Sequence, residues 1–176
     1  LRKDADHYAR LNIRLVQGRV ARVAPLAKQV EFADGQRQGY DKLLIATGAA
    51  PRKLNIPGED LQGIFTYHSL EDAQRIYEQR PHVQHCTVIG GGILGLEFAR
   101  CAHEWFHWDL TLLIRGDYCG SGTIDAAGGP YVLRTLEKAG VEVLFHEEPA
   151  RFEAKLLGPG SETTTSGRVG AIVTKT

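Results

Sequence analysis

Six consecutive residues, Gly90-Gly91-Gly92-Ile93-Leu94-Gly95, carry the spacing G-x-G-x-x-G. Gly90 would make the tight turn out of a strand. Gly92 would let the backbone approach a pyrophosphate, and Gly95 would let a helix pack closely on the strand. A helix beginning there presents free amides and a positive dipole end to phosphates. The pattern alone is weak, and context gives it weight. Before it stands the apolar run Cys86-Thr87-Val88-Ile89. After it Leu94, Phe98, Cys101, Ala102 and Trp105 recur at helical spacing, which predicts a helix with these residues toward a sheet. The chemistry implied is dinucleotide binding; the alternative is a glycine-rich strand-to-helix turn that binds nothing.

Two further patterns bear on chemistry. In NAD-binding folds an acidic residue about 20 positions beyond the glycines bonds the ribose hydroxyls. Here Ile114 stands at that place, followed by Arg115 and, two residues later, Asp117. Arg115 is compatible with the extra phosphate of NADP and equally with an ordinary surface arginine after a strand, so NAD and NADP both stay open. His103-Glu104-Trp105-Phe106-His107 matches H-E-x-x-H, which on a helix can place two zinc ligands and a base on one face. It falls in the predicted helix's last turn, away from the glycines, with no third ligand at a familiar spacing. A helix end with solvated histidines is the better reading, and no metal site is expected.

Composition narrows the function classes. The 21 Lys and Arg balance 21 Asp and Glu, whereas a nucleic-acid surface would leave a basic excess. No run approaches the roughly 20 apolar residues of a membrane span, and the opening LRKDADHYARLN lacks the apolar core of a signal peptide. Cys86, Cys101 and Cys119 show no C-x-x-C spacing, so they read as incidental thiols in a reducing cytoplasm. The absence of methionine and the mid-strand ending VGAIVTKT read as an internal piece of a longer protein.

The elements that must position these residues follow from periodicity and turn residues. NIRLVQG, RVARVA, KQVEFADG and YDKLLIATG read as strands, the apolar LLIAT as one buried on both faces. Residues 51–85 read as a connector rich in Pro and Gly, then a helix capped by Ser69 and Asp72. From 86 the order is strand, glycine turn, helix, strand DLTLLIRG, helix GPYVLRTLEKAG and strand VEVLFH. That is the order of a Rossmann-like, doubly wound α/β fold. FEAKLL and GRVGAIVTK read as a hairpin around the loop GPGSETTTSG.

YDKLLIATGAAPRKLNIPGEDLQGIFTYHSLEDA followed by CTVIGGGILGLEFA closely resembles the FAD- and NAD(P)-dependent pyridine nucleotide-disulfide oxidoreductases. These include ferredoxin and rubredoxin reductases, NADH oxidases and the flavoprotein part of nitrite reductase. The resemblance implies that residues 1–50 are the second half of an FAD domain, its three-stranded β-meander and the strand ending in Ala46-Thr47-Gly48. It further implies that 86–176 are a NAD(P) domain truncated at its C-terminus. Val20, Thr47 and Gly48 would lie near FAD. Gly90, Gly92, Ile93, Leu94, Gly95 and Arg115 would serve NAD or NADP. Glu97 resembles a glutamate placed near the nicotinamide and flavin rings, although an acid in a helix's first turn is also ordinary dipole complementation.

What the resemblance implies for function is hydride transfer from NAD(P)H to FAD and onward transfer to a small molecule or redox protein, in a homodimeric parent whose interface lies in a further domain. The family's first G-x-G-x-x-G and any redox-active cysteine pair are not in this sequence, so the chain alone is expected to be inactive. The segment from Tyr118 to Gly122 and around Asp125 departs from the commoner family pattern. A NAD(H)-binding interaction or sensing module on the reductase fold is the alternative reading.

Overall fold

The computed structural model describes residues 5–156 and 165–175. These divide into two units, residues 1–49 and 50–176.

The first unit begins with a short helix, α1 (Ala5–Arg10), that the sequence reading did not foresee, closed by Asn12 in the left-handed region at φ 54°. A three-stranded antiparallel meander follows: β1 (Val20–Ala24), β2 (Gln29–Phe32) and β3 (Arg37–Gly39) in the order β1-β2-β3. The Asp34-Gly35 turn drives the reversal. Gly35 sits at φ 85°, and the Asp34 carboxylate accepts the Gln36 amide at 3.0 Å. The meander is therefore displaced from the one expected. NIRLVQG has no strand partner among the described residues, and RQG supplies the third strand by pairing with Gln29–Glu31. The expected strand LLIAT is not formed either. A strand needs a hydrogen-bonding neighbour, none is described beside it, and Leu44 and Ile45 are 87% and 66% exposed.

The second unit opens with an irregular segment and α2 (Leu70–Gln79). Ser69 and Asp72 form the expected capping box, each side chain accepting the other's backbone amide at 3.1 Å. Those bonds hold the Asp72 carboxyl below its usual range. A parallel sheet follows in the order β4-β5-β6 (His85–Ile89, Asp109–Ile114, Glu142–Phe145), with α3 (Ile93–Cys101) and α4 (Gly129–Lys138) as the crossovers. Pro130 near the start of α4 and Gly140 at φ 77° beyond its end mark that helix as expected. This is the mononucleotide-binding half of a Rossmann-like sheet. An antiparallel hairpin, β7 (Pro149–Leu156) and β8 (Thr165–Thr174), comes after it. Residues 157–164, which include most of the expected loop GPGSETTTSG, lie outside the described residues, and its last three residues belong to β8.

The core lies around β5. Leu110, Leu112 and Ile114 are at most 3% exposed, and Ala99 and Ala102 of the α3 region are fully buried against them. The small alanines, rather than Leu94 and Trp105, form the inner face. Leu94 is 60% and Trp105 66% exposed. Leu94 stands in the open first turn of α3, and for Trp105 the physical reason is a π-turn over Ala102–Phe106 that continues the helix. Its wider turn delays the helical phase by about one residue, turning Trp105 outward and leaving Phe106 to pack on Trp108, with ring centroids 4.9 Å apart.

At the amino edge of the sheet, Thr111 donates to Glu142 Oε2 at 2.8 Å and pairs with His85 Nε2 at 3.1 Å, linking three strands. Both partners reach solvent and can be rehydrated. Thr111→Val is therefore expected to cost about 1 kcal/mol. Leu112→Ala, which opens a cavity in the center of the sheet, is expected to cost about 3 kcal/mol. Urea unfolding of the two variants tests this ranking.

Candidate functional site

The glycine turn sits at the carboxyl edge of β4. Gly90 has φ 111°, a backbone that disfavours any side chain, and its amide donates to the Leu113 carbonyl of β5 at 2.9 Å. Gly92 is the N-cap of α3, and no side chain caps the helix there. The first intrahelical bond runs from the Leu96 amide to Gly92 O at 3.0 Å, which leaves the amides of Ile93, Leu94 and Gly95 without an intrahelical acceptor. No acidic residue occupies the first turn. Nothing lies within 4 Å of where a Cβ on Gly92 would project, whereas a Cβ on Gly95 would stand 2.2 Å from the Gly90 carbonyl oxygen. The turn is thus packed shut on the strand side and open on the amide side, the geometry that accepts an anion.

Two neighbours complete the turn, and sequence reasoning missed both. A Cβ on Gly91 would meet Ile114 Cδ1 at 2.6 Å, so Ile114 roofs the turn from the end of β5. From the loop that follows, the Gly120 amide donates to Gly91 O at 2.8 Å, with Gly120 itself at φ 78° and Cys119 fully buried beside it. A positive-φ glycine leaves only an isolated Gly in the sequence, too common to be read as a contact.

Ile93 and Leu94 are 59% and 60% exposed at the open end of α3. Glu97, one turn further on, is surface-exposed and ion-paired with Arg100 Nη2 at 3.1 Å. Arg100 also holds Glu104 at 2.6 Å. The two carboxylates keep the Arg100 guanidinium protonated beyond its usual range, the Glu97 hydrogen bond contributing most. Arg115 is exposed immediately after β5.

In the first unit, Val20 opens β1 opposite Phe32 and is 46% exposed. Thr47 and Gly48, the latter at φ 77°, lie exposed beyond the apolar run 43–45.

The H-E-x-x-H pattern does not present two histidines on one regular helical face. His103 lies inside the π-turn, and His107 terminates it in the left-handed region at φ 56°. Glu104 is engaged by Arg100, and no group of three potential metal ligands occurs among the described residues. All three cysteines are free thiols. Burial pushes Cys86 up to about 11 and raises Cys119 as well, so neither supplies a ready thiolate at neutral pH.

The family model described as "Pyridine nucleotide-disulphide oxidoreductase" matches residues 4–168. The ferredoxin–NAD(+) reductase component of the biphenyl dioxygenase system from Paraburkholderia xenovorans is 33% identical over 153 residues, covering 86% of this chain and 37% of the relative. The assimilatory nitrate reductase electron transfer subunit of Bacillus subtilis is 38% identical over 144 residues, covering 81% and 18%. The chain therefore spans well under half the length of these relatives. Among solved structures, the ferredoxin reductase for the CYP199A2 system of Rhodopseudomonas palustris superposes with a TM-score of 0.81. The match covers 98% of this chain and 40% of that one at 20% identity, a likeness of fold.

The glycine geometry separates two substitutions that look alike. Gly95→Ala forces a methyl group into a backbone carbonyl and is expected to destabilise the protein by about 2 kcal/mol. Gly92→Ala, at φ −76° with open space, meets no clash and loses only the N-cap preference for glycine, so it is expected to cost about 0.5–1 kcal/mol. Denaturant unfolding of the pair checks both.

Proposed function

The chain belongs to the pyridine nucleotide-disulphide oxidoreductase family, and from that premise we propose that it is part of a flavoprotein taking reducing equivalents from NAD(P)H onto FAD and passing them to a redox-protein acceptor. The observation carrying this reading is the glycine turn. Its backbone fits a pyrophosphate, with open space at Gly92 beside the unsatisfied amides of Ile93, Leu94 and Gly95. The name of the biphenyl-system relative, a ferredoxin–NAD(+) reductase component, supports a small redox protein as acceptor.

Each residue has a physical task in this reading. Ile93, Leu94 and Gly95 bind the dinucleotide phosphates through main-chain amides and the positive end of α3. Gly90 and Gly95 hold those amides in place by fixing the turn against β4. Glu97, held by Arg100, orients the nicotinamide end. Val20, Thr47 and Gly48 would contact FAD from the first unit. When bound, the cofactors supply the redox chemistry, and the protein supplies orientation and exclusion of water.

The test is a titration of the folded protein with NADH and NADPH separately, following tryptophan fluorescence and energy transfer to the nicotinamide. Saturation by at least one of them is expected. Gly92→Val should stay folded, with at most a small drop in melting temperature from the lost N-cap glycine, and weaken binding by roughly tenfold or more, because the side chain fills the space the pyrophosphate needs. A folded protein that saturates with neither cofactor would refute the dinucleotide reading.

A further inference from the structure

Four residues back from Gly95, the Gly91 carbonyl is the acceptor that would continue the helical ladder of α3 toward its N-terminus. It is not used that way. The ladder begins with the Leu96 amide on Gly92 O, and Gly91 O instead accepts the amide of Gly120 at 2.8 Å. The peptide joining Gly91 to Gly92 is planar and trans, so holding its carbonyl toward Gly120 holds the Gly92 N–H on the opposite side. Ile114 closes over the same peptide, since a Cβ on Gly91 would stand 2.6 Å from its Cδ1. One hydrogen bond from outside the glycine motif thus draws a carbonyl away from the helix and leaves the first-turn amides without an acceptor.

The loop that supplies this bond is anchored at both ends. Gly120 is buried at φ 78°, and Cys119 before it is fully buried in the core. The Gly120 carbonyl accepts the amides of Thr123 and Ile124, both at 2.8 Å. Toward α4, Asp125 Oδ1 accepts the Gly128 amide at 2.9 Å, and Gly129 is buried against Tyr118. Two constraints call for glycine at 120. Its left-handed backbone disfavours a side chain, and a Cβ there would meet Ile124 Cδ1 at 2.8 Å. Both backbone groups of Gly120 are committed, the amide to the glycine turn and the carbonyl to its own loop.

We propose that Gly120 is a positioning residue of the dinucleotide site, its amide holding the Gly91 carbonyl off α3 so that the amides of Ile93, Leu94 and Gly95 stay free for the pyrophosphate. The proposal rests on the dinucleotide reading of the glycine turn. Gly120 touches no ligand in it and acts through the peptide between Gly91 and Gly92. Were its amide to leave, the carbonyl could turn back to the Gly95 amide, adding one bond to the helix and taking one donor from the anion. Loss of a hydrogen bond to a charged acceptor weakens binding by about tenfold or more.

The experiment replaces Gly120 by Asn, Ala or Val in an Ile124→Val background, which removes the Cδ1 atom that a Cβ would strike. The full chain is titrated with NADH and NADPH, and hydrogen exchange of the amide at position 120 is followed by NMR. Ile124→Val alone is expected to bind as the parent does. Asn tolerates the left-handed region, so Gly120→Asn should keep both the slow exchange and the affinity. Gly120→Val, β-branched and most averse to positive φ, should lose both, with affinity down about tenfold or more. Gly120→Ala should fall between them. Circular dichroism checks that each variant is folded, and if Gly120→Val is not, the Asn and Ala variants are compared in the same way.

Loss of the slow exchange with parental affinity, or loss of affinity with the slow exchange kept, would overturn the proposal while leaving the dinucleotide site intact. Parental affinity in every folded variant would overturn it as well, because glycine would then not be needed at 120. A folded parent that saturates with neither cofactor would refute the site itself, and the proposal with it.

Discussion

The close approach of α3 to the carbonyl of Gly90 is the constraint on which the ligand edge depends. A helix seated so that a methyl at Gly95 would lie 2.2 Å from that oxygen is nearer the strand than any side chain permits. Three consequences follow from that distance. Gly90 must turn through φ 111° to leave the strand in time. The Gly92 position faces open space because the helix end is drawn down rather than out. The first-turn amides then converge above β4 with no protein acceptor. An anion is the natural complement to such a cluster.

The rest of the unit serves that seat. Ala99 and Ala102 are fully buried where α3 meets the sheet, and residues this small let the helix axis come close along its whole length. Bulk is supplied from the other side, by Leu110, Leu112 and Ile114 on the central strand. Ile114 has a double duty, since the same side chain that ends the core also roofs Gly91. Core packing and the shape of the ligand edge are thus one contact, and the residue at this position cannot be exchanged for a polar one without disturbing both.

What was legible in the sequence follows the strength of local signals. The capping box at Ser69 and Asp72 and the Pro130 and Gly140 boundaries have chemistry that acts within a few residues, and the three parallel strands show as short apolar runs between helical segments. The meander was displaced by one strand because alternation in NIRLVQG and RVARVA is the same whether or not a partner pairs with it. LLIAT has the composition of a doubly buried strand, yet burial depends on neighbours and not on composition. The π-turn was invisible for a related reason: spacing toward Ala102 is helical in either geometry, and only the packing of Phe106 on Trp108 reveals the extra residue. Of the candidate site, the backbone was legible, because glycines advertise unusual φ angles. The roof and the buttress at Ile114 and Gly120 were not, since they come from residues over 20 positions away along the chain.

A parallel sheet has two unlike ends, and that polarity sorts the remaining titratable groups. His85, Thr111 and Glu142 are linked at the amino edge, while Gly90 stands five residues further along β4. At the rise of a strand that is about 16 Å. His107 lies fourteen residues beyond Ile93 along α3 and its π-turn, about 20 Å at helical rise. Both distances exceed the roughly 8 Å over which exposed charges act at physiological salt. Protonation of these histidines therefore leaves the anion seat at Gly92 unaffected. The charged groups at the carboxyl edge include Arg115, Asp117 and the Glu148–Lys175 pair. The H-E-x-x-H pattern is thus set apart from the site by geometry as well as by its own broken helix.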